Sequence, residues 1–148
     1  MVQNIILTVD GSEQSRRAAE FGIELAKNLG ARITLIHAIE SYLFEDMLAM
    51  TPGSAADMAK PIYESIRSTV EEYMQNKMEL CDQYGVPCDK VIRIGHPVSE
   101  VVNLADELNA DLIIMGSHGR GRISGSMLGS VSYGVVHDSN RVPVLLVK

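Results

Sequence analysis

No apolar run in this 148-residue chain reaches the roughly 20 residues that a membrane-spanning helix needs. The start, Met1-Val2-Gln3-Asn4, also lacks the basic stretch and small-residue cleavage site of a secretory leader. Cysteine is scarce: Cys81 and Cys88 are separated by six residues with no paired histidine pattern around them, so reduced structural thiols are expected rather than a metal or redox pair. A cytoplasmic location is the expectation that follows. Internal repeats, low-complexity tracts and linkers are missing too, which predicts one domain over residues 1–148. A net charge of −6 argues against non-specific binding to nucleic acid or to an anionic membrane. The most local absence is of acid: no Asp or Glu stands between Leu112 and His137, while Arg120 and Arg122 lie in that stretch beside His118. An acidic protein has kept one loop positive.

What is present is a globular composition, 46% hydrophobic and 22% charged, in a chain long enough to bury about 68–70% of its unfolded surface. Apolar runs alternate with helical periodicity. Asn4 to Val9 reads as a buried strand ended by Asp10-Gly11-Ser12, with Ser12 a helix cap. The helix that follows places Ala18, Gly22, Ile23, Ala26 and Leu29 on one face and stops at Gly30. Arg32 to Ile39 is a second strand. Periodicity then fails from Glu40 to about Met58, around Thr51-Pro52-Gly53-Ser54, where Met47, Leu48 and Met50 are expected to pack on the sheet edge or to serve as a lid or partner surface.

A long helix is predicted from the recurrence of Ile62, Ile66, Thr69, Tyr73, Lys77, Leu80 and Tyr84, broken by Gly85-Val86-Pro87. Val91 to Ile94 is a third strand. His96-Pro97 opens a helix with a stripe of Val98, Val101, Val102, Ala105 and Leu108. Asp111 to Gly116 carries a fourth strand, a helix follows around Ser130–Asp138, and Val142 to Val147 closes the series. Strands separated by helices predict right-handed crossovers in an α/β, doubly wound, five-stranded parallel sheet of order 3-2-1-4-5 with helices on both faces. Ligands of such sheets bind where the winding reverses, between the C-terminal ends of strands 1 and 4. Asp10 and Gly116 are expected to face each other there.

The fourth strand empties into a glycine-rich loop that enters a helix, an arrangement suited to phosphate because backbone N–H groups can approach an anion and the helix start adds about half a positive charge. A P-loop does not fit: Gly116 through Ile123 has its two glycines, but Arg122 replaces the lysine and Ile123 the hydroxyl. The dinucleotide fingerprint, read from Gly119 and Gly121, fails at its third glycine.

The spacing that does fit is Gly-x2-Gly-x9-Gly-Ser at Gly116, Gly119, Gly129 and Ser130. With Asp10 after the first strand, Leu35-Ile36-His37-Ala38 in the second, Met115-Gly116-Ser117-His118-Gly119, and Pro143 to Val147 at the end, the chain resembles the ATP-binding branch of the universal stress protein family over its full length. The resemblance implies ATP, with Mg carried on its phosphates, as ligand. It implies phosphate contacts from Gly116, Gly119, Gly129 and Ser130, with Val131 and Ser132 continuing the helix start and Met115, His118 and Arg120 flanking the loop. Thr8, Val9, Asp10 and Ala38 would enclose the adenosine, although the family often has proline where Thr8 stands. It also implies a homodimer joined through Val142 to Val147.

Several residues keep two readings. Asp10 either meets the nucleoside or forms an Asx-turn, Arg120 and Arg122 either meet phosphate or are solvated, and His37 reads as core in an apolar strand. Three functions stay open: a nucleotide-dependent regulatory module of the stress-response kind, a slow ATPase with Asp10 as its sole obvious base, and a flavodoxin-like signalling or flavin-binding domain. A receiver would need an acidic cluster and a late lysine, and a flavin site a Ser/Thr-rich first loop; Asp10-Gly11-Ser12-Glu13 supplies neither.

Overall fold

The apolar runs become strands because β-branched and aliphatic side chains can be buried on both faces of a pleated ribbon, and the helical stripes between them cover those faces. A computed structural model describes residues 1–42, 54–119 and 128–148. Its elements run β1 (Asn4–Thr8), α1 (Glu13–Leu29), β2 (Arg32–Glu40), α2 (Ser54–Tyr84), β3 (Cys88–Gly95), α3 (Pro97–Glu107), β4 (Leu112–Gly116), α4 (Ser130–Asp138) and β5 (Val144–Val147). The sheet has the order β3-β2-β1-β4-β5, and every pairing is parallel. The predicted architecture is the observed one.

Alternation along the strands divides the interior into two layers. Ile5 and Leu7 of β1, Ile33 and Leu35 of β2 and Ile114 of β4 face α1 and α2, where Ala18, Ile23, Ala26, Val70 and Met74 meet them. Ile6, Ile36, Ile113 and Met115 face the other way, onto Val98, Val101, Leu104 and Ala105 of α3 and Val135 of α4. Helix α1 begins at Ser12, whose hydroxyl accepts the Ser15 N–H at 3.1 Å, and ends at Gly30 in the left-handed region, φ 66°.

Some boundaries and faces differ from the sequence reading. Helix α2 starts at Ser54 and so contains Pro61, ahead of the Ile62 at which the apolar periodicity begins. Its buried residues are Ala59, Val70, Met74 and Cys81, whereas Ile62, Thr69 and Tyr84 are exposed: the true stripe lies about one position C-terminal to the expected one. Leu29 and Leu108 are exposed because each falls at the end of its helix, beyond the sheet. Strand β3 is longer than Val91–Ile94 and β5 shorter than Val142–Val147. Met47, Leu48 and Met50 lie outside the described residues.

The sheet's two edges differ in kind. On β3, Asp89 pairs with Arg32, Lys90 with Glu71, and Arg93 with Glu100 and Glu107. On β5, Val144-Leu145-Leu146-Val147 carries no charge. Near the start of β3 the half-buried Cys88 lies beside the buried Cys81, its Sγ donating to Asp89 O at 3.8 Å, and both cysteines are free. No helix among the described residues is long and apolar enough to cross a membrane.

Candidate functional site

The winding reverses between β1 and β4, and the segments leaving their C-terminal ends enclose a crevice. On the β1 side, Val9 extends the ladder by one bond, its N–H donating to Ile36 O at 2.9 Å. Asp10 then makes an Asx-turn, with Oδ1 accepting the Ser12 N–H at 2.8 Å, while Gly11 takes φ 76°, which any other residue would resist. The Ser15 hydroxyl accepts the Asp10 N–H at 3.2 Å and reaches Thr8 O at 3.4 Å. Three residues of one turn thus set Asp10.

On the β4 side, the Ser117 N–H donates to Val147 O at 2.8 Å and Ser117 O accepts the Gly129 N–H at 2.8 Å, drawing the start of α4 onto the end of β4. Helix α4 begins after Gly129 with no side-chain cap and no acidic residue in its first turn. Its first N–H groups and the positive end of its dipole are therefore available to an anion. The two sides meet at Asp10 and Gly119: a Cβ on Gly119 would stand 2.8 Å from Asp10 Oδ2. A Cβ on Gly129 would lie 3.3 Å from the His118 Cα and 3.4 Å from the Gly119 N, so the backbone there is tightly folded. Ser130 is exposed at the helix start, and Val131, His118 and Gly119 are half-buried around it.

Other candidates take structural positions. A Cβ on Gly116 would fall 2.9 Å from Gln14 Cβ and 3.1 Å from the Ser15 N, so its bareness admits the first turn of α1. Ser132 is buried, and its hydroxyl donates to Gly116 O at 2.8 Å, tying α4 to β4. The Met115 side chain lies in the core, which leaves only its backbone to the crevice. Val9 is buried, whereas Thr8 and Ala38 are half-buried along the crevice rim. Arg120 and Arg122 lie outside the described residues.

His37 departs from its core reading. Its Nδ1 stands 2.6 Å from Val9 O, with the Tyr73 hydroxyl 3.0 Å from the same nitrogen. The sequence signal was a polar ring inside an apolar strand, and it carried no indication of the partner. Ser15 was missed as well, although a hydroxyl three residues after a cap is placed to reach back over the turn.

A cleft of about 160 Å³ opens beside the crevice between α1 and α2, lined in part by Val9, Gly11, Ser12 and Tyr73. A larger hollow of about 270 Å³ lies around Asn4, Arg32 and Asp89 at the opposite, N-terminal end of the strands. The crevice is the better ligand site despite its smaller cleft, because in a doubly wound sheet the strand C-termini, with helix N-termini beside them, form the binding end.

A match to the universal stress protein family spans residues 1–148. The chain belongs to the universal stress protein family. Among curated relatives of this universal stress protein, MJ0577 of Methanocaldococcus jannaschii is 31% identical over 158 residues, covering 100% of this chain and 96% of that protein. YxiE of Bacillus subtilis is 28% identical and covers both chains completely. A solved structure of MJ0577 superposes with a TM-score of 0.87 at 26% identity, covering 100% of this chain and 96% of that one. A universal stress protein solved in complex with cAMP superposes with a TM-score of 0.64 at 28% identity, covering 99% of this chain and 96% of the other.

Proposed function

We propose that this universal stress protein binds an adenine nucleotide, ATP in the first instance, in the crevice between β1 and β4, and acts as a nucleotide-dependent regulatory module. The observation that carries the reading is the meeting of Asp10 and Gly119 beside an uncapped helix start free of acidic side chains. In this arrangement Gly119, Gly129, Ser130 and the first turn of α4 take the phosphates through N–H groups, and Thr8, Val9, Asp10 and Ala38 border the adenosine. The relative in complex with cAMP supports an adenine nucleotide as the ligand class. Mg enters this reading as a companion of the ATP phosphates. Asp10 is the carboxylate aimed at the loop, so hydrolysis, if present, runs below about 1 s⁻¹, at the slow end of enzyme rates.

The reading extends to a homodimer in the cytoplasm, joined through β5. One sheet edge is guarded by charge pairs and the other is bare, and bare edges are where sheets continue into a second chain.

Thermal melting with and without Mg-ATP tests the site. At about 100 times the dissociation constant, binding adds about 2.7 kcal/mol, which at roughly 2–4 °C per kcal/mol raises the midpoint by about 5–10 °C. Gly119→Val should abolish the shift while the unliganded protein stays folded. An undiminished shift in that variant would overturn the assignment.

A further inference from the structure

The Val9 carbonyl is a buried acceptor at the point where β1 gives way to the Asp10 turn, and the group that satisfies it is a side chain from the neighbouring strand. A carbonyl oxygen only accepts, so the 2.6 Å contact places the proton on His37 Nδ1. With that nitrogen's lone pair in the ring, the Tyr73 oxygen 3.0 Å away takes a second share of the same N–H rather than donating to it. The two rings meet edge-on, centroids 5.7 Å apart at 71°, and Tyr73 is delivered from α2 on the far side of the cleft.

The consequence lies in the order of the bonds. Ile36 O holds the Val9 N–H and His37 holds the Val9 C=O, so two consecutive residues of β2 clamp both sides of one residue. The C=O that His37 holds belongs to the same peptide as the Asp10 N–H that goes to Ser15, and the Asp10 side chain beyond it carries Oδ1 to Ser12 and Oδ2 to the Gly119 loop. Rotation of the 9–10 peptide would swing Asp10 away from Gly119, and the His37 bond opposes that rotation directly.

We propose that His37 is a positioning residue of the nucleotide site, holding the Val9–Asp10 turn in the form that receives the ligand, with Tyr73 fixing the ring that does so. This rests on the adenine-nucleotide reading above. A histidine that merely filled space would be replaceable by an isosteric apolar residue without effect on the ligand; a positioning one is replaceable only by a side chain that puts an N–H where Nδ1 stands. Asparagine does this, because its amide nitrogen sits at the Nδ1 branch, whereas the longer glutamine carries its amide towards the Nε2 position.

Calorimetric titration of ATP into the wild type, His37→Asn, His37→Gln, His37→Leu and Tyr73→Phe, each first melted without ligand, separates these cases. His37→Leu and His37→Gln should weaken binding by about tenfold, as expected for a lost buried hydrogen bond, and His37→Asn should restore it to within about threefold of wild type. Tyr73→Phe should weaken binding by a smaller factor with little change in melting. Equal affinity of His37→Leu and wild type, or equal loss in His37→Asn and His37→Leu, overturns the inference while leaving the nucleotide reading intact. If His37→Leu does not fold, the comparison of Asn with Gln decides alone. A wild type that binds no adenine nucleotide overturns the functional reading, and this inference with it.

Discussion

Replacing Gly116 with alanine isolates what the first glycine of the motif does. The added Cβ would stand 2.9 Å from Gln14 Cβ, 3.0 Å from the Gln14 carbonyl carbon and 3.1 Å from the Ser15 N. These are mostly backbone atoms of the first turn of α1, pinned by the Ser12 cap and the Ser15 hydroxyl, so relief requires the helix to move. Overpacking of this kind costs about 1–3 kcal/mol, equivalent to a fall of roughly 2–12 °C in the melting midpoint for a chain of this size. Gly119→Ala is the control. Its Cβ would meet only the carboxylate end of Asp10 within 4 Å, a side-chain end and not packed backbone, and the backbone at 119 is not left-handed. Its midpoint should stay within about 2 °C of wild type, as for substitutions that touch no packed feature. Circular dichroism melts of both proteins without nucleotide, then with Mg-ATP, give four midpoints. Gly116→Ala should fall in the first pair and Gly119→Ala should lose the ATP increment in the second. A Gly116→Ala protein as stable as wild type, or a Gly119→Ala protein less stable than Gly116→Ala, would refute the division of labour between the two glycines.

Ser132→Ala strands the buried Gly116 carbonyl and should cost about 1–3 kcal/mol in urea unfolding, and an unchanged midpoint would count against the bond. Asp111 accepts the Gln3 and Asn4 N–H groups, which hold its carboxyl below the ordinary aspartate range. Its contribution is therefore present above the unfolded value of about 3.9 and lost as pH falls through the lower folded value. Asp111→Asn should accordingly be less stable at pH 7 and lose less stability than wild type between pH 5 and pH 2, read from urea midpoints at about those values. The Cys88 thiol is pushed up by the neighbouring Cys81 thiol and by burial. Maleimide labelling followed by peptide mapping should find Cys88 slower than an exposed thiol at pH 7, and equal rates would count against the contact. For the assembly, sedimentation should report about twice the 16.2 kDa chain mass. Because Pro143 O and Val147 O both point to β4, the alternate residues Val144 and Leu146 turn their backbone outward, so Val144→Pro should weaken the dimer while sparing the β4 ladder.

The strand order and the reversal of winding were readable because they follow from apolar runs and crossover handedness, which are properties of the chain alone. The residues drawn to the crevice were readable for the same reason: Asp10 and the 116–119 loop end strands that the topology makes neighbours. What stayed hidden depends on a partner far away in sequence. Gly116 looks the same whether it faces a phosphate or the first turn of α1, and Ser132 looks the same whether it points to a ligand or to a carbonyl. The stripe of α2 was misplaced because Tyr73, Met74, Lys77 and Met78 supply apolar surface at adjacent positions, so periodicity could not fix the facing residue to within one.

The pairing of β1 with β4 joins residues about a hundred positions apart, Ile5 with Leu112 and Leu7 with Ile114. Non-local pairings of this kind are slow to close, and during synthesis β1, β2 and β3 all emerge before β4. Asp10 is thus displayed on a nascent chain long before Gly119 exists to face it. The crevice is created by this late long-range closure, so a nucleotide held there would bind the closed sheet and have no grip on its precursors. Occupancy would then slow unfolding by opposing separation of β1 from β4, and slower proteolysis of the folded chain with ligand than without it would be the sign of that hold.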